Sequence, residues 1–91
     1  TDYELARWHY KDAQRLYLRL KIERGVAAAQ AHLGRLEFET GAWPLAEDHL
    51  SAAIEYCDRT RNEADANRLR ILLDRVRALL ARRASREAET A

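Results

Sequence analysis

An all-α fold follows from three properties of this 91-residue chain. No segment alternates apolar and polar residues as a half-buried strand must. Ala, Leu, Arg and Glu dominate, while Pro occurs once and Gly three times, so helix formers are rarely interrupted. Finally, Tyr3, Ala6, Tyr10 and Ala13 return forty residues later as Trp43, Ala46, Leu50 and Ala53. Large and small residues spaced three, four and three mark one helix face, whose small members let a neighbouring helix approach closely. Two such faces at a fixed interval predict stacked antiparallel helix hairpins, an α-α superhelix of four helices.

The elements are read in order. Asp2 is placed to cap a first helix, with Glu4 near its positive end, and the stripe Tyr3, Ala6, Tyr10, Ala13, Leu16/Tyr17 and Leu20 carries it to about Glu23. Gly25 reads as the break. The second helix is expected from Val26 to Thr40 with two adjoining apolar stripes, Val26, Ala29, Leu33, Leu36 and Ala27, Ala31, Gly34, Phe38. A helix apolar over so much of its circumference lies between neighbours and leaves Ala28, His32, Arg35 and Glu39 outside. Gly41 ends it, Pro44 falls in the first turn of the third helix, and that helix extends to about Asp58. Thr60-Arg-Asn-Glu63 reads as a capping box for a fourth helix, Arg61 to Arg83, with the stripe Leu69, Leu72/Leu73, Val76 and Leu79/Leu80. The segmentation is therefore 1–24, 25–59, 60–83, and a tail over 84–91 that loses the apolar period and is expected to be mobile.

Composition narrows the classes of function. A net charge of +1 excludes a globally basic nucleic-acid binder but permits a local patch. No apolar run approaches a membrane span, and nothing has the layout of a secretory signal. Cys57 is the only cysteine, so no intrachain disulfide forms; this fits a reducing, cytoplasmic setting and a thiol that is a small buried hydrophobe. The absence of Met hints at an excised fragment, and removal of an initiator explains it equally well.

Leu33, Gly34, Gly41, Trp43, Ala46, Leu50 and Ala53 stand in the order of the tetratricopeptide repeat, and the chain resembles that family over about Asp2 to Arg83. The resemblance implies a long, forty-residue variant of the repeat: residues 25–59 form one complete hairpin, 1–24 the second helix of a preceding repeat, and 60–83 the first helix of a following repeat or a cap. Gln30 and Glu37 stand where the family favours aromatics, and Asp74 stands forty residues beyond Gly34 where Gly is usual. The resemblance further implies that the first helices of each pair line a concave surface. The residues so placed are Ala28, His32, Arg35, Phe38 and Glu39 from the second helix. The fourth contributes Arg68, Ile71, Leu72 and Arg75. The Lys/Asn set with which some members grip a chaperone's C-terminal carboxylate is absent.

Motifs of catalysis are missing. His9, His32 and His49 lack ligand spacing with one another, no Gly-rich phosphate loop occurs, and neither Ser51 nor Ser85 has a base at readable spacing. No metal, cofactor or enzymatic activity is expected. Arginine crowds the fourth helix at Arg68, Arg70, Arg75, Arg77, Arg82, Arg83 and Arg86, with Asp74 the one acid from Asn67 to Arg86. That pattern reads as a solvated face, or as a basic wall for an acidic peptide, or as a phosphate contact for nucleic acid. The expected function is a protein–protein interaction module presenting a helical groove to a peptide or helix, with an acidic ligand favoured. Self-association of an incomplete solenoid is the alternative, through Leu5, Trp8, Leu18, Ile22, Leu79 and Leu80, which lie beyond the helix-packing stripes. Nucleic-acid contact through the fourth helix is third.

Overall fold

The computed structural model describes residues 2–91; Thr1, the first residue of the 1–24 segment, lies outside the described residues. Four helices follow one another, α1 (Tyr3–Arg19), α2 (Glu23–Thr40), α3 (Trp43–Arg59) and α4 (Glu63–Thr90), and no strand occurs among the described residues. Each helix packs on the next. Beyond that, α2 touches α4 only marginally, and α1 meets neither α3 nor α4. A closed four-helix bundle would join α1 to α4; here the helices form an open row, and the molecule is elongated at 47 × 31 × 21 Å.

One turn, used three times, sets the row. In each, an N–H reaches back five residues to a helical carbonyl: Ile22 to Tyr17 at 2.9 Å, Ala42 to Glu37 at 2.9 Å, Asn62 to Cys57 at 2.8 Å. The residue just before that donor is left-handed, with φ of 58° at Lys21, 82° at Gly41 and 60° at Arg61. These are Schellman caps. Only Gly41 is the residue type that adopts this conformation without a Cβ penalty. Short turns of one geometry force each helix to run back along the last, so helix starts fall at 3, 23, 43 and 63.

Several sequence boundaries shift. α1 stops at Arg19, not Glu23, because the chain turns through Lys21. Gly25, expected as a break, lies inside α2, where a Cβ would sit 2.2 Å from the Tyr17 ring of α1. Its role is space for a neighbour, not termination. Thr60 does not cap α4: its hydroxyl donates to the Tyr56 carbonyl (2.9 Å), and the cap is Asn62, whose Oδ1 accepts from the Asp65 N–H. α4 passes Arg83 and continues to Thr90, its last turns wholly exposed.

The core lies between α2, α3 and α4. Ala46, Leu50 and Ala53 on α3 are sealed at 0–1% exposure, and Ala66, Leu69, Leu73 and Val76 of α4 meet them. Gly34 of α2 lies against Leu50, where an added Cβ would come within 2.7 Å of the leucine side chain. α2 buries Ala29, Leu33 and Leu36 of one expected stripe and Ala27 and Gly34 of the other, half-buries Val26, Ala31 and Phe38, and exposes Ala28, His32, Arg35 and Glu39. α1, by contrast, buries no residue fully.

Within this apolar seam sits one carboxylate. Glu37 is 1% exposed and accepts a hydrogen bond from the Nδ1–H of His49 on α3 at 2.6 Å. Forty residues on, Arg77 of α4 binds Glu47 of α3 at 3.0 Å. Arg7 and Glu37 hold the reversed charges at the corresponding places but form no ion pair with each other, and the buried Arg7 Nε has no hydrogen-bond partner among the described residues.

Candidate groove between α2 and α4

A groove of about 590 Å³ runs between the N-terminal halves of α2 and α4. Arg24, Ala28, His32 and Arg35, spaced four, four and three along α2, form one wall. The floor belongs to α3, with Ala53, Tyr56 and Cys57, and the far wall to α4, with Asn62, Asp65, Arg68 and Leu69. Short residues on α2 and α3 keep the channel open. The half-buried Tyr56 supplies its larger apolar surface, with Leu69 reaching it only by an edge.

Its charge is unevenly committed. Arg68 is bound to Asp65, one helical turn away on α4, and Asn62 Nδ2 donates to the same carboxylate at 2.7 Å. These two hydrogen bonds, that of Asn62 first, hold the Asp65 carboxyl below its usual range. Arg24 and Arg35 have no acidic partner within ion-pair distance among the described residues, so the α2 wall presents uncompensated positive charge. The first turns of both helices add the positive ends of their peptide dipoles. Burial, then the charges of Asp65 and Asp58, push the Cys57 thiol up. A neutral, recessed thiol is a poor nucleophile. His32 is held in place by its ring stacked on Tyr10, centroids 4.9 Å apart at 7°.

Of the residues expected in the groove, Ala28, His32, Arg35 and Arg68 come together there. Phe38 and Leu72 do not: they pack against the core of α3 and α4. Glu39, Ile71 and Arg75 are exposed but do not line the groove: Glu39 and Arg75 lie one to two turns past its last residues on α2 and α4, and Ile71, two residues after Leu69, falls on another face of α4. Arg24 and Tyr56 were missed. Arg24 extends the Ala28–His32–Arg35 stripe back by one turn, a signal hidden by starting α2 after Gly25.

The expected arginine wall of α4 is largely engaged within the molecule. Arg70 binds Asp58, Arg77 binds Glu47, and Arg83 lies over the Trp43 ring at 4.5 Å while donating to the Gly41 carbonyl. The residues expected at a self-association surface also divide. Leu5 and Trp8 stand open at 52% and 57% exposure. Leu18 and Ile22 line a second cleft of about 300 Å³ between the end of α1 and α3. Leu80 packs on the core and Leu79 is half-buried, since α4 is long enough to fold both against the row.

Among the described residues no helix is long and apolar enough to cross a membrane, and no three His, Cys, Asp or Glu side chains cluster as a metal site would require. Comparison with known proteins finds no protein-family model, no curated protein and no solved structure that matches the chain.

Proposed function

We propose that the chain is a non-catalytic protein-interaction module of tetratricopeptide-like design, whose groove between α2 and α4 holds an acidic peptide. The observation that carries this is the uncompensated pair Arg24 and Arg35 along one wall of a channel with an apolar floor. A guanidinium presents a planar fork that matches a carboxylate, and the half-buried Tyr56 ring offers a surface for an apolar side chain between the acids. Neighbour-only helix packing and the Gly34 contact with Leu50 support the tetratricopeptide-like reading. A single recessed cysteine accords with a cytoplasmic setting. Nucleic acid is disfavoured because Arg68, Arg70, Arg77 and Arg83 are already engaged inside the molecule.

Fluorescence anisotropy tests this with a labelled peptide alternating Glu and Leu, against the same peptide with Gln for Glu. The acidic peptide should bind, and binding should weaken as salt rises. The double variant Arg24→Glu with Arg35→Glu should weaken it by about tenfold or more, since each exchange sets like charges together. Equal binding of the Gln peptide, or an unaffected double variant, would dispose of the groove as the site.

A further inference from the structure

α1 is the helix the row leaves uncovered. Only α2 packs on it, and Leu5, Trp8, Leu16, Leu18 and Leu20 are each 49–57% exposed. Its side away from α2 carries Leu5, Trp8, Asp12, Arg15 and Arg19, spaced three, four, three and four, and all exposed. The corresponding face of α3 keeps an exposed leucine, Leu45, forty residues beyond Leu5, but differs at the next position: Asp48 stands forty residues beyond Trp8. An outward position that one helix gives to a carboxylate is given by the other to tryptophan, the side chain most enriched at the energetic centres of interfaces.

We propose that this face of α1 pairs with α1 of a second copy, antiparallel, about a twofold axis. The charges on the stripe choose both occupant and orientation. One antiparallel register sets Asp12 of each copy opposite Arg15 of the other and Trp8 beneath the other's Arg19 guanidinium. The same register brings Leu5 towards the apolar turn at Leu20 and Ile22 of the second copy. Among the described residues Asp12, Arg15 and Arg19 have no ion-pair partner, which leaves these side chains for the second copy. A parallel pairing would instead stack Asp12 on Asp12 and Arg15 on Arg15. Twofold symmetry doubles every contact and closes the assembly at two chains. Head-to-tail stacking of the row is opposed at the other end. There Asp74 of α4 takes the place of Gly34, where even a Cβ would press to 2.7 Å on a Leu50-like neighbour. The groove residues Arg24 and Arg35 take no part.

Sedimentation equilibrium over micromolar to millimolar concentrations should give a single heavier species of two chains in exchange with the 10.5 kDa monomer. Asp12→Arg alone, and Arg15→Asp alone, should each raise the dissociation constant by about tenfold or more, because each places like charges face to face twice. The double variant exchanging the two charges should return to within a few-fold of the parent. Trp8→Ala should weaken the pair as well, with helicity unchanged by circular dichroism in every variant. A chain monomeric throughout, a ladder of species beyond two, or a charge exchange that fails to restore pairing would each overturn the proposal.

Discussion

Replacing His49 with Ala removes the one hydrogen bond that Glu37 receives from another helix. The carboxylate is 1% exposed and the bond is 2.6 Å long, while the His49 side chain retains 22% of its own exposure. Leaving a buried polar group unpaired costs about 1–3 kcal/mol, and breaking a fully buried charged pair about 3–5. His49 opens partly to solvent, so water can enter its vacated space, and the expected loss lies between these, about 2–4 kcal/mol. A domain of this size has on the order of 5–14 kcal/mol in total. The change therefore consumes a substantial part of the stability, and each kcal/mol lowers the melting temperature by about 4–8 °C.

Urea melts followed by helical circular dichroism would read this directly. Two companions separate the pair from simple loss of packing. Glu37→Gln keeps a side chain able to accept the Nδ1–H and should cost less than His49→Ala. Joint replacement by apolar residues of similar size, Glu37→Met with His49→Leu, should recover most of the loss, because no buried polar group is then left unpaired. If His49→Ala melts within about 0.5 kcal/mol of the parent, Glu37 is not held as described.

Other perturbations test the packing and the turns. Ala46→Leu forces three carbons into a site of 0% exposure between α2 and α3 and should lower stability by about 1–3 kcal/mol or more, by thermal melt. Lys21→Gly and Arg61→Gly relieve a left-handed conformation that costs a side chain about 1–2 kcal/mol; after the added chain entropy, each should raise stability by up to about 1 kcal/mol. Cys57 should alkylate far more slowly in the native than in the urea-unfolded chain. Because its folded pKa is raised, its contribution to stability is full below the unfolded thiol pKa and is lost as pH climbs through the folded one, which alkaline melts of the parent and Cys57→Ala would compare.

The parts of the fold legible in the sequence were those with local causes. Gly41 before Pro44 marks a boundary because one residue supplies a left-handed φ and the other a missing N–H at a helix start. The double stripe of α2 announced a helix between neighbours, and the burial of Ala29, Leu33 and Leu36 on one stripe and of Ala27 and Gly34 on the other follows from that count of apolar positions. What escaped had causes on another helix. Gly25 resembles a terminator in isolation, and only the Tyr17 ring lying across it explains a glycine in the first turn of α2. The left-handed Lys21 and Arg61 carry no compositional signal, so the first turn was placed late and the cap of α4 was assigned to Thr60 instead of Asn62. Glu37 stood out as a departure from a family pattern, but its partner lies twelve residues away across the seam.

The same reasoning explains why the row is unlike at its two sides. Three turns of one geometry give every helix the same relation to the last, so helices two apart carry equivalent faces, and forty residues is the period at which those faces can be compared. On α3 the positions Ala46, Leu50 and Ala53 are sealed between α2 and α4, whereas Ala6, Tyr10 and Ala13 of α1, with α2 alone beside them, remain half-open. On α2 the face Ala27, Ala31, Gly34 and Phe38 receives α3 and α4; its counterpart on α4 is Asn67, Ile71, Asp74 and Ala78, all exposed. A carboxylate at the position where α2 uses glycine for close approach leaves this face of α4 solvated. No such substitution protects α1, where a tryptophan replaces the aspartate of the equivalent outward position. Polar replacement on one flank and apolar replacement on the other is the physical reason for proposing partner contact at α1 and not at α4.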